Sequence, residues 1–286
     1  MIRSGTCAWA DHQHFYPKTM ASQERLRYYA RFFSIVEVDS TYYALPRRQV
    51  AQFWAKSVPA DFSFHVKAHG SMTLHDRSRP VVADKDGVFK AFADVVEPLR
   101  AVGKLRCILF QFPPWVKKSQ PFLDYIESCR MLFQDDMFAV EFRHRSWFME
   151  QETKHTLAWL RDHHVVNVVC DEPQVGAGSI PFVAQVTDPR MAMIRMHGRN
   201  SETWAKPGLK SSQERFQYEY AREELLAIMP DVRQMAEKAD EVHILMNNNY
   251  DNYAIRGASL WQQLLGQASI LPEFSEQMGW FDESPS

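Results

Sequence analysis

The chain has 286 residues, 45% of them hydrophobic and 24% charged, enough for one large α/β domain or two ordinary ones. Its formal net charge is only -2, so no global field recruits nucleic acid or an acidic membrane, and long nucleic acid is a poor partner. The N-terminal MIRSGTCAWADHQHFYP has no signal-peptide core, and no run approaches the roughly 18 apolar residues of a membrane span. A cytoplasmic protein without membrane association is expected. The four cysteines, Cys7, Cys107, Cys129 and Cys170, show no C-x-x-C spacing and read as buried reduced thiols.

Eight short apolar stretches read as strands, near 2–9, 35–40, 62–67, 105–112, 137–143, 165–171, 190–197 and 242–248. Between most of them lie stretches of helical spacing. Ser22 to Phe33 comes first, with Leu26, Tyr29, Ala30 and Phe33 on one face and Ser22 as N-cap. Gln49 to Ser57, Asp86 to Val102, Gln120 to Phe133, Gln151 to His163, Phe216 to Ala239 and Ser259 to Gly266 follow. The sixth unit is irregular: EPQVGAGSIPFVAQVTDP, between Asp171 and Arg190, holds no good helix. Long segments at 68–84 and 198–215 read as binding loops, and the tail from about 271 to 286 as packing outside. Strand and helix alternating about eight times, without a linker, predict one domain over 1–286, a (β/α)8 TIM-type barrel.

The faces of the strands support the barrel. Glu37 and Asp39 oppose Val36 and Val38; His65 and Lys67 oppose Phe64 and Val66; Glu141 and Arg143 oppose Val140 and Phe142; Arg195 and His197 oppose Ile194 and Met196. Side chains alternate with period two along a strand. In a doubly wound sheet both faces meet helices and should be apolar, whereas a barrel lumen tolerates polar groups near its C-terminal mouth. The inward set is therefore Glu37, Asp39, His65, Lys67, Gln111, Glu141, Arg143, Asp171, Arg195, His197 and Asn247. By the same alternation Ser40 and Cys170 fall on the helix-facing side.

Several carboxylates with histidine supply acid/base chemistry, since neighbours can push two carboxyl affinities apart. Glu37, Glu141, Asp171 and His197 are the catalytic candidates. Asp39, His65, Lys67, Gln111, Arg143, Arg195 and Asn247 are candidates for substrate binding, with the cations reading an anionic group. A buried ion-pair network holding the mouth together is the structural alternative. Of the aromatics after strands (Trp9, Phe15, Tyr16, Tyr42, Tyr43, Trp115, Trp147, Trp204), Trp9, Tyr42 and Trp147 are assigned to the pocket wall, where they could stack on a sugar or base. Glu, Asp, His and Asn together also suit a metal. There is no H-E-x-x-H, His12-Gln13-His14 reads as surface, and Lys67, Arg143 and Arg195 compete with a cation, so no metal ligand is assigned. No G-x-S-x-G, G-x-G-x-x-G or Walker motif is present, and the cofactor is left open.

These segments together resemble the YecE-like family, the domain of unknown function numbered seventy-two. The resemblance rests on Gly5-Thr6-Cys7-Ala8-Trp9 with Phe15-Tyr16-Pro17, on Val36 to Tyr43, on Phe62 to Lys67, and on Gln111-Phe112-Pro113-Pro114. It continues through Glu141 to His144 with Ser146-Trp147, Arg195 to Gly198, and Asn247 to Tyr250. It implies a TIM-type barrel over nearly the whole chain and supplies no reaction. The family commonly has Asn where this chain has Asp39, which adds a negative charge at the mouth. Hydrolysis or isomerisation of a small polar substrate, anionic or sugar-like, is expected, with Glu37 and Glu141 placed like paired glycosidase carboxylates. A ligand-binding or regulatory barrel without chemistry, and a metal-dependent phosphoesterase or nuclease, stand as alternatives.

Overall fold

A computed structural model describes residues 1–76, 87–206, 208–209, 212–268 and 271. The expectation for the tail therefore lies outside the described residues beyond Leu271. Eight strands, β1 (Ile2–Cys7), β2 (Ile35–Val38), β3 (Ser63–Lys67), β4 (Leu105–Gln111), β5 (Phe138–Glu141), β6 (Val166–Asp171), β7 (Ala192–Met196) and β8 (Val242–Met246), close in chain order into a barrel. Every neighbouring pair is parallel, and β1 closes on β8 from Ile2 opposite Val242 to Thr6 opposite Met246. The expected (β/α)8 barrel is thus the fold, and each strand falls within two or three residues of its expected bounds.

Helices α1 (Arg25–Tyr29), α2 (Arg48–Ser57), α3 (Val88–Arg100), α4 (Gln120–Leu132) and α5 (Glu150–Asp162) cover the first five units. A single turn α6 (Ser201–Trp204), α7 (Arg222–Ala236) and α8 (Tyr253–Leu264) cover the last two. No helix lies between β6 and β7, as expected for the sixth unit. The first helix is shorter than its pattern: residues 22–24 form a 3-10 turn, and Ser22 makes no capping bond. Conversely α8 starts six residues early, because Ala254, Ile255, Gly257 and Ala258 already face the barrel.

Alternation is read correctly in most strands. Outward, Ser4 Oγ donates to Ala258 O of α8, and the backbone N–H of Thr6 donates to the Tyr29 hydroxyl of α1. Inward, Cys7, Glu37, Glu141 and Arg195 meet in the lumen. Gly5 lets β1 and β2 approach: a Cβ there would stand 2.3 Å from the Ile35 carbonyl oxygen.

In β6 the phase is opposite to the expectation. Cys170 points inward, where its sulfur joins Glu141 and His197, with candidate ligand atoms within 4.8 Å of one another. Asp171 points outward and takes Arg199 and the Tyr220 hydroxyl. Asn167, in the same phase as Asp171, is held by Val183 and Thr187 of the segment that replaces the sixth helix. A polar loop rather than a helix packs there, so polar residues are tolerated on the outer face. Among the described residues no helix is long and apolar enough to cross a membrane.

Candidate functional site

The lumen floor is built from three strands that each carry a charge at the last or next-to-last residue. Arg195 of β7 grips Glu37 of β2 with two nitrogens, at 2.9 and 2.7 Å, and donates a short bond to Glu141 of β5. All three side chains are 0% exposed. Glu37 and Glu141 are therefore separated by one guanidinium, close as expected, but Arg195 is not free to read a substrate anion. A buried arginine with two carboxylates is tolerable because each charge is paired and hydrogen-bonded. Burial pushes the Glu37 carboxyl up, with Arg195 and Lys67 opposing it. Burial acts the same way on Glu141, but Arg195, His197 and Arg143 together override it and hold Glu141 well below the usual carboxylate range.

Above this floor lies a second layer. Arg143 Nη1 is 3.0 Å from Glu141 Oε1, 3.2 Å from Glu172 Oε2 and 3.1 Å from His197 Nε2, and its guanidinium lies 4.8 Å over the Trp204 ring. Asn247 lies between Arg195 and His197, its Oδ1 3.3 Å from Arg195 Nη2 and its amide nitrogen 2.8 Å from His197 Nδ1. The two neighbours of His197 Nε2 differ in kind: Arg143 Nη1, at 3.1 Å, can only donate, and the ionised Glu141 Oε1, at 3.3 Å, can only accept. Burial lowers His197 to about 3, so it is a neutral imidazole at ordinary pH.

Glu172 is the residue that alternation missed, because the reversed phase of β6 turns it inward directly after the strand. Its Oε1 accepts from Ile180 N at 2.8 Å. Burial raises it to about 7. Two guanidiniums, Arg143 and Arg195, face three carboxyls, Glu37, Glu141 and Glu172. One proton on Glu172 balances the cluster.

A cavity of about 940 Å³ opens over these layers. Asp39, Lys67, Gln111, Arg143, His197, Asn247 and Tyr42 line it, as expected, joined by Asp11, His75, Trp115, Trp204 and Phe216. Ser40 also lines it, against the alternation argument, because the chain turns into a 3-10 helix at Ser40 and strand periodicity ends at Val38. Lys67 Nζ lies 4.6 Å over the Tyr42 ring, and no carboxylate of the described residues lies within ion-pair distance of it. Burial and the Arg195 charge lower the Lys67 ammonium from its usual value, against Glu37, Glu141 and Asp39. Burial raises Asp39, with Lys67 opposing.

Seven assigned residues do not line this cavity: Glu37, Glu141 and Arg195 are buried in the floor beneath it, and four others lie elsewhere. Trp9 packs edge-on against Trp54 in a separate groove between α1 and α2. Trp147 is fully buried, stacked 4.0 Å on Phe142, with its indole N–H on Val116 O. Both are core aromatics, as large apolar rings after strands usually are. His65 lies deeper in the lumen, 2.7 Å from His243 Nδ1, whose other nitrogen meets Glu241. Asp171 faces the outer flank. His12, taken for a surface residue, is buried.

Glu141, Cys170 and His197 form the candidate metal-ligand group among the described residues. Its donor set fits a cation poorly: both Glu141 oxygens already accept from guanidiniums, the Arg143 guanidinium stands 3.1 Å from His197 Nε2, and burial holds the Cys170 thiol well above its usual value.

The model of a protein family described as "Protein of unknown function DUF72" matches residues 3–278. The UPF0759 protein YunF of Bacillus subtilis (strain 168) is 37% identical over 251 residues, 87% of this chain and 89% of that protein. Among solved structures, a DUF72 family protein from Enterococcus faecalis V583 superposes with a TM-score of 0.86 at 28% identity, covering 94% of this chain and 96% of that one. Another, from Thermotoga maritima MSB8, gives 0.80 at 31% identity, covering 93% and 100%. The chain, several of whose spaced motifs meet at one barrel mouth, belongs to the DUF72 family.

Proposed function

We propose that the mouth cavity is the active site of an enzyme that acts by proton transfer on a small polar substrate, anionic or sugar-like. The observation that carries this is Lys67: a cation inside a cavity lined by Tyr42, Trp115 and Trp204, with no carboxylate of the described residues paired to it. It meets an electron-rich group of the substrate, while the rings pack on the substrate's carbon faces. His197 and Asn247, locked in one orientation by Arg195, supply fixed hydrogen bonds. Glu37 and Glu141 are two carboxyls whose surroundings push their proton affinities apart, the arrangement that separates acid from base. Hydrolysis or isomerisation suits these groups.

One observation favours a second reading, a ligand-binding barrel without turnover: the oxygens of Glu37 and Glu141 are capped by Arg195 and fully buried. A single experiment separates the two. The protein is incubated with sugar phosphates, sugar acids and glycosides, with melting temperature and product mass both read. The enzyme reading expects conversion of at least one compound, binding lost in Lys67→Met, and turnover lost but binding kept in Glu141→Gln. Binding of some compounds with conversion of none supports the second reading. No binding by any compound counts against both.

A further inference from the structure

Resting on the reading of the mouth cavity as an active site, we propose that Lys67 is a covalent catalyst: its Nζ forms an imine with the carbonyl carbon of an aldehyde or ketone substrate. A lysine that only reads an anion needs its charge. A lysine that attacks a carbonyl needs a lone pair, a place free of a carboxylate clamp, and a proton carrier within the same cavity.

The structure meets each condition. Lys67 ends β3, and its stem is fixed in the lumen by the strand. No described carboxylate pairs with its Nζ, in contrast to Arg195 and Arg143, which are each held by two. Its Nζ lies over the Tyr42 ring face, 4.6 Å from the centroid, a contact weaker than a carboxylate clamp. Burial together with the Arg195 cation lowers the cost of the neutral amine. Asp39 lines the same cavity, and burial favours its protonated form. The cavity is lined by charged and amide groups together with aromatic rings, so a short carbon chain bearing a carbonyl and hydroxyl or acidic groups fits its lining.

The step balances as follows. The Nζ lone pair forms a bond to the carbonyl carbon as the C=O π pair moves to oxygen. A proton passes from nitrogen to that oxygen, giving a carbinolamine. Asp39, protonated, delivers its proton to the hydroxyl, water leaves with the C–O pair, and the nitrogen lone pair forms the iminium. The products are a protonated imine, one water and the Asp39 carboxylate, whose charge offsets the new cation across the same cavity. The iminium withdraws electrons from the adjacent carbon, so proton removal or carbon–carbon cleavage there becomes accessible.

Reductive trapping tests this. The full chain is mixed with pyruvate, glyceraldehyde 3-phosphate, dihydroxyacetone phosphate or a free ketose, then treated with borohydride, and read by intact mass and peptide mapping. The expected result is a single addition equal to the carbonyl compound less one oxygen, located on Lys67. Lys67→Arg keeps the charge and packing but loses the adduct, while keeping the ligand-induced rise in melting temperature. Asp39→Asn slows adduct formation and leaves its position unchanged. The inference is overturned if no compound gives an adduct at Lys67, or if Lys67→Arg is modified to the same extent as wild type. Where compounds bind without an adduct, Lys67 is a positioning cation and the reading of the cavity stands. Where none binds, that reading falls as well.

Discussion

Arg195 shows how one side chain can set the chemistry of several. It helps hold Glu141 ionised, opposes the protonation that burial favours at Glu37, and faces the Asn247 amide that lies against His197. Removing it would leave Glu37 without its ion-pair partner and Glu141 with Arg143 alone. We expect Arg195→Met to destabilise the chain by about 3–5 kcal/mol in urea unfolding, the cost typical of breaking a buried pair. Glu172 gives a pH signature of opposite sense to an ordinary salt-bridged acid. Its folded value of about 7 lies above its ordinary 4.5, so between these values the folded state binds the proton and the unfolded chain does not. Its stabilisation is full below about pH 4.5 and is lost as pH rises through about 7, a change on the order of 3 kcal/mol. Glu172→Gln should remove that slope, seen as the difference between the two proteins' stability-against-pH curves. A difference curve flat across pH 4.5–7 would show that Glu172 is not held protonated.

At the scale of elements, the strands were legible because apolar runs bounded by turn residues and alternating faces are local properties. Six of the seven strand phases assigned followed from whichever side carried the apolar residues. β6 did not, since VNVVCD has polar residues in one phase and a cysteine in the other, and polarity pointed the wrong way. What decided the phase was non-local: the chain after β6 forms no helix, so Asn167 and Asp171 find polar partners outside. The same error hid Glu172 and Cys170 and promoted Asp171. Trp9 and Trp147 were misplaced for another reason, because position after a strand does not say whether a ring turns toward the mouth or into the helical layer. Gly5 tests the strand packing itself. A methyl there collides with backbone, not with a side chain that can swing away. Gly5→Ala should therefore cost about 1–3 kcal/mol or more, measured as a lowered denaturant midpoint with an unchanged slope.

For the whole molecule, the site is a property of closure. The cavity takes side chains from the ends of β2, β3, β4, β5, β7 and β8, and no two neighbouring units contain it. A ligand seated there binds only the folded barrel. Held at 100 times its Kd, it should stabilise the chain by about 2.7 kcal/mol, read as a concentration-dependent rise in melting temperature. A ligand bound in the separate groove between α1 and α2 would also raise it, but Lys67→Met would leave that rise untouched.

The arginine under the floor also bears on how the barrel assembles in time. Arg195 lies 158 residues from Glu37 and 54 from Glu141 along the chain. During synthesis both acids emerge and can be brought near each other long before their cation exists. Until β7 arrives, Glu141 has Arg143 but Glu37 lacks its ion-pair partner, so burying Glu37 carries a penalty. The ion triad is thus a late event, formed after most of the surface has been buried, and such contacts weigh on the rate of coming apart more than on the rate of coming together. Arg195→Met should speed unfolding by most of its stability loss and leave the refolding rate nearly unchanged, so that the clasp acts on the lifetime of the closed barrel and not on the path to it.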